Sequence, residues 1–93
     1  MPLTATSVVT RTPGLMSTRL NNEIYLLNPV RDKYTGLDDI GLRVWELLEA
    51  TTRVDSLCDQ VAKAYRGDPQ QITTDLMEFL NELDSEGLLD VKN

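Results

Sequence analysis

Histidine is absent from the 93 residues and Cys58 is the one thiol. The side chains that most often serve as general base and as nucleophile near neutral pH are therefore missing or unaccompanied. Fifteen Asp and Glu residues leave room for a carboxylate pair. None of them falls in a recognisable catalytic motif. There is no glycine-rich phosphate loop, no Gly-x-Ser-x-Gly elbow and no Cys/His pair. A lone thiol without imidazole cannot assemble a structural zinc site. No enzyme activity, no cofactor and no metal is expected. One free cysteine also excludes an intrachain disulfide.

What remains is binding chemistry. The formal net charge of −6 opposes any partner held by phosphate neutralisation. Residues 69–86 sharpen the point. They contain Asp75, Glu78, Glu82, Asp84 and Glu86 but no lysine or arginine. A groove-reading helix with that composition would set acids against phosphates, so nucleic acid is not the expected ligand. No apolar run approaches the roughly 20 residues a membrane span needs. Residues 1–11 lack the basic start and apolar stretch of a signal peptide. A cytoplasmic location is the expectation, with a protein or peptide partner.

The elements that must position such a partner are legible in outline. Hydrophobic residues make up 41% and charged residues 26%, as in an ordinary globular protein, and one domain spanning 1–93 is expected. The first 36 residues read as antiparallel strands. Val8–Thr12 is β-branched, and Pro13-Gly14 forces a turn. Met16–Leu20 and Glu23–Asn28 flank Asn21-Asn22, a pair that tolerates positive φ in a tight hairpin. Ile24-Tyr25-Leu26-Leu27 is apolar in both phases, which predicts a central strand covered on both faces. Pro29 to Asp32 reverses the chain, and Lys33–Gly36 returns as a short, charged edge strand.

Residues 38–87 show helical periodicity. Asp38 can cap a first helix whose stripe is Ile40, Val44, Trp45, Leu47 and Leu48. Gly41 costs that helix about 1 kcal/mol against alanine, which close approach of a neighbouring element would explain. A second helix is predicted from Thr52, with Asp55 in a capping-box-like position. Its stripe is Val54, Leu57, Cys58, Val61, Ala62 and Tyr65. The third has the plainest start: Asp68 caps, Pro69 takes the first position, and Gln71 can reach back to the cap. Ile72, Leu76, Phe79, Leu80 and Leu83 form its core face, Gly87 ends it, and Leu88–Val91 is a terminal strand. The class is α+β, a winged helix-turn-helix-like arrangement of a small three-stranded antiparallel sheet followed by three helices.

Two features of this layout suit a peptide. The edge strand at Lys33–Gly36 has unpaired N–H and C=O groups that can template an added strand. Met77, beside the core stripe of the third helix, and Leu80, at the margin of that stripe, can make one wall of an apolar groove. Each feature also has an ordinary reading. Short charged edge strands guard against aggregation, and methionine often fills a loose core.

The run Lys33-Tyr34-x-Gly36-Leu37-Asp38-Asp39-Ile40-Gly41-x-Arg43-Val44-Trp45-Glu46-Leu47-Leu48 resembles the central signature of the pyrroloquinoline-quinone biosynthesis D-type family. Val54-Asp55-x-Leu57, Tyr65, Asp68-Pro69, Asp75, Phe79-Leu80, Leu83 and Gly87-Leu88 follow in the same order and spacing. The likeness spans about residues 8–91. The single motifs are soft, being mostly core positions, and their joint order is the specific signal. These PqqD-like domains are recognition elements for ribosomally made, post-translationally modified peptides. The resemblance implies that a precursor's leader peptide adds as a strand beside the third strand and lies against the third helix. Backbone pairing is then expected along residues 30–36: Val30, Arg31, Asp32, Lys33, Tyr34, Thr35 and Gly36. An apolar pocket is expected around Val30, Tyr34, Leu76, Phe79 and Leu80, with Met77 on its wall and Asp75 as a polar contact. The wording of Lys33 to Trp45 looks closest to stand-alone members of lasso-peptide clusters. In those antibiotic pathways a transglutaminase-like leader peptidase and a cyclase complete maturation. The alternative pathway is that of the quinone cofactor, in which the precursor is presented to a radical enzyme.

Overall fold

Residues 3–65 and 67–92 are described by a computed structural model, without the side chains of Lys33, Asp38 and Asp39. The expected cap at Asp38 thus lies outside the described side chains. Among the described residues, six strands and three helices follow in the order β1 (Val8–Arg11), β2 (Met16–Leu20), β3 (Glu23–Asn28), β4 (Lys33–Asp38), α1 (Asp39–Leu47), β5 (Thr52–Arg53), α2 (Val54–Ala64), α3 (Pro69–Ser85) and β6 (Leu89–Lys92). The class is α+β as read from the sequence. The predicted three-stranded sheet is β2-β3-β4, antiparallel throughout.

Val8–Arg11 does not join that sheet. It forms the centre of a second one, ordered β5-β1-β6, with Val9 opposite both Thr52 and Val91. Val9 is fully buried, and Leu89 on β6 nearly so. This sheet corrects the start of the second helix. Thr52 and Arg53 are strand, and α2 begins at Val54 without a side-chain cap. The first amides of α2 are satisfied instead by backbone: Val54 N–H donates to Ser7 O and Asp55 N–H to Ala5 O, both at 2.9 Å. A capping hydroxyl from Thr52 has no task once these carbonyls supply the acceptors.

α3 behaves as its sequence dictates at both ends. The Asp68 side chain accepts from Gln70 N–H at 3.0 Å and Pro69 holds the first turn. Gln71 does not reach the cap; its Nε2 donates to Asp75 at 2.9 Å, one turn along. Gly87 closes the helix at φ 74°. A Cβ there would lie 2.9 Å from Asn28 Nδ2, so both dihedral and space demand glycine.

The buried cluster joins Val9 and Leu89 of one sheet and Leu26 and Leu37 of the other to Val44, Trp45, Leu48, Val54, Leu57, Val61, Leu76, Leu80 and Leu83 of the helical half. Leu42 is buried too, whereas Ile40, expected in the core, is 45% exposed. Cys58 is half-buried on the core-facing stripe of α2, its thiol pushed up from 9.0, first by burial and then by Asp59 and Asp55, against a Thr73 hydrogen bond. It packs against the core as a small apolar residue.

Candidate functional site

β3 is the middle of its sheet, so β4 has one paired and one open edge. Side chains alternate along β4. Leu37, opposite Ile24, and Thr35, opposite buried Leu26, face the core, and Tyr34, opposite Leu27, faces out and is 72% exposed. The sheet is covered on one face only, which corrects the expectation for β3: Tyr25 is exposed and Leu27 half-buried. Aliphatic residues in both phases of β3 mark an outer face that stays apolar, carrying Met16, Leu20, Tyr25 and Tyr34.

A groove of about 530 Å³ runs between β4 and α3. Tyr34, Thr35, Gly36 and Leu37 form its sheet side, and Phe79, Glu82, Leu83, Ser85 and Glu86 its helix side, with Gly41 between. A second cavity of about 250 Å³ lies further along α3, lined by Ile40, Gly41, Val61, Ile72, Asp75, Leu76 and Phe79. Ile72, Asp75, Leu76, Phe79, Glu82, Leu83 and Glu86 recur at i, i+3, i+4 spacing and so make one stripe of α3. The side chain of Asp75 in it is exposed and accepts from Gln71. Among the described residues, the charged ones lining the two cavities are the acids Asp75, Glu82 and Glu86.

The turn between β3 and β4 is tied to the far end of α3, and this fixes the groove's width. Buried Asn28 accepts from Val30 N–H at 3.0 Å and Arg31 N–H at 3.4 Å, and its Nδ2 donates to Gly87 O at 3.3 Å. Arg31 Nη1 donates to Ser85 O at 2.6 Å, setting a cation at the negative end of the helix dipole. Asn28 was not singled out in the sequence, although Asn before a turn-forming Pro is the signature of a side chain that caps its own turn.

The expected site residues divide accordingly. Tyr34 and Thr35 on β4, and Phe79, Leu76 and Asp75 on α3, line one or other cavity. Lys33 is in β4, paired with Asn28, with its side chain outside the described residues. Val30 is 93% exposed on the turn and Asp32 sits there at φ 51°, so neither belongs to strand or pocket. Arg31 serves the helix end. The strand available for pairing is 33–38, not 30–36. Leu80 is fully buried and Met77 packs against the core, and neither is among the described residues that line the groove or the second cavity. The linings add residues that the sequence did not place at the site, among them Leu37, Ile40, Gly41, Glu82, Leu83 and Glu86. The helical period set Ile40 on the core stripe of α1, so the sequence held no signal for its exposed place at the second cavity.

A model of the coenzyme PQQ synthesis protein D (PqqD) family matches residues 23–89, which contain β3, β4, all three helices and both cavities. The chain belongs to the PqqD family. The structure of TbiB1 in complex with the TbiA(beta) leader peptide is similar at a TM-score of 0.79 and 31% identity, over 87% of this chain and 94% of that one. The solution structure of the PqqD truncation of Methylobacterium extorquens PqqCD, a functional and stand-alone recognition element for ribosomally synthesised and post-translationally modified peptides, is similar at 0.74 and 23% identity. That match covers 95% of this chain and 94% of that one. The latter likeness is one of fold. No curated protein matches. Among the described residues no three His, Cys, Asp or Glu side chains are grouped to hold a metal, and no helix is long and apolar enough to cross a membrane.

Proposed function

We propose that this PqqD-family chain is a non-catalytic recognition element that captures the leader segment of a ribosomally made precursor peptide. The leader adds as a strand to the open edge of β4 and rests its inward side chains in the groove against α3. One observation carries the reading: an unpaired strand edge stands beside a 530 Å³ groove in a chain 31% identical to a protein solved with a leader peptide. Backbone pairing supplies sequence-tolerant affinity, and the apolar lining of Leu37, Phe79 and Leu83 selects an anchor side chain. The acidic wall of α3 turns nucleic acid away and suits a leader of neutral or basic character.

In this reading the chain works in the cytoplasm beside a transglutaminase-like leader peptidase and a cyclase of a lasso-peptide pathway. A second pathway, presentation to a radical enzyme of quinone-cofactor synthesis, is favoured by the family's name. Pull-down of a peptidase or of a radical enzyme separates the two.

Calorimetric titration with the leader of the co-encoded precursor tests the capture itself. Wild type should bind one peptide per chain. Tyr34→Pro removes a β4 amide and should weaken binding at least about 100-fold, a loss near 3 kcal/mol. Circular dichroism must show the helices intact. Unchanged affinity in the folded variant would place the peptide elsewhere.

A further inference from the structure

The groove and the second cavity meet at two residues, Gly41 and Phe79, which line both. Gly41 is unexplained by the fold. It lies in the first turn of α1, and the glycines with positive φ are Gly14 and Gly87, so its backbone suits any residue. Nor is it crowded. A Cβ at Gly41 would stand 3.5 and 3.6 Å from the Phe79 ring and 3.8 Å from Leu37 Cβ, all ordinary contacts. Alanine would fit, would favour the helix, and would touch core residues. What a side chain at 41 would take away is the opening between the two cavities.

Resting on the strand-addition reading, we infer that Gly41 is a specificity-determining position of the peptide site. The bound chain does not stop where β4 ends. It passes over Gly41 and plants an apolar side chain in the second cavity. The lining there is Ile40, Val61, Ile72, Leu76 and Phe79, with Asp75 as the polar member at the rim. The occupant is an extended peptide because the two cavities follow one another along α3, from Glu86 to Phe79 and from Phe79 to Ile72, and β4 walls the first of them. The stripe from Ile72 to Glu86 rises about 21 Å, which an extended chain crosses in about six residues. Ile40 then has a role that explains its exposure: it forms the lip of the second cavity.

The test uses the full chain and a defined probe, the tightest binder from a displayed library of random peptides about 14 residues long, the length that covers β4 and this extension. That peptide is assayed by fluorescence anisotropy at full length and shortened from each end. Gly41→Ala should melt at the wild-type temperature or up to about 5 °C higher, yet bind about tenfold more weakly. Gly41→Leu, which closes the opening, should lose about 100-fold, and the peptide shortened at the end that enters the second cavity should bind it no worse than the full-length one. If both Gly41 variants bind like wild type while Tyr34→Pro does not, the path past Gly41 is wrong and strand addition stands. If Tyr34→Pro, folded, binds like wild type while the Gly41 variants do not, Gly41 still lines the peptide site, but strand addition falls and with it the path that continues from β4.

Discussion

The two sheets of this small protein are built to opposite ends. In β5-β1-β6 the central strand is flanked on both sides, Val9 is wholly buried, and the chain before β1 supplies the carbonyls that start α2. In β2-β3-β4 every residue of β2 is exposed, β4 keeps an open edge, and the outer face is apolar. The first sheet ties residues 8–11 to residues 52–53 and 89–92 and so holds the helices in place. The second is a presented surface. On the proposed reading, stability and binding are allotted to different sheets, and they should respond to mutation separately.

The sharpest way to break the comparison is to strike each side once. Trp45 is 3% exposed, with the Arg11 guanidinium 4.8 Å from its ring centroid and the Arg11 Nε donating to its carbonyl at 3.0 Å, so it belongs to the closing half. Trp45→Ala should cost about 3–5 kcal/mol in urea unfolding. Tyr34→Ala, on the presented sheet, should cost within about 0.5 kcal/mol. Equal costs would mean that the two sheets are not so divided.

Asn28 joins the two regions, and its loss should register in both. Asn28→Ala removes the side-chain bonds made to the Val30 and Arg31 amides and to the Glu86 and Gly87 carbonyls just past α3. A stability loss of about 2 kcal/mol is expected, together with weaker peptide binding as β4 and α3 drift apart. Lost stability with unaltered affinity would show that the groove keeps its width by other means.

The smallest effect concerns Asp75. Its carboxylate already accepts from Gln71 and is exposed, so Asp75→Asn should change stability by a few tenths of a kcal/mol. At the rim of the second cavity it should still lower leader affinity, by about 1–3 kcal/mol for a charge-assisted bond, and less in high salt. Affinity indifferent to both mutation and salt would remove Asp75 from recognition.

Which parts of this were legible in the sequence follows from the range of the interactions involved. The cap at Asp68, the stop at Gly87 and the hairpin at Asn21, where φ is 57°, are local signals and were read correctly. The partnership of Val9 with Thr52 and Val91 was not, because a strand's neighbours across the whole chain leave no trace in its own period. A two-residue strand such as β5 has no period at all. Within the site, β4 and Phe79 were legible as an edge and a stripe. Leu80 and Met77 were misplaced because helical periodicity gives the direction of a stripe but not which flank meets a groove. Gly41 was noticed for its cost, yet the close approach offered as its reason is absent.

Amide hydrogen exchange with and without saturating leader peptide tests the central claim most directly, since the sheet offers two open edges and the account assigns the peptide to one. Amides within 33–38 that point away from β3 should slow at least about tenfold on binding, as hydrogen-bonded strand amides do. Those of β2, 16–20, should exchange as before. Protection that appears along β2, or binding that leaves β4 unprotected, would contradict the account.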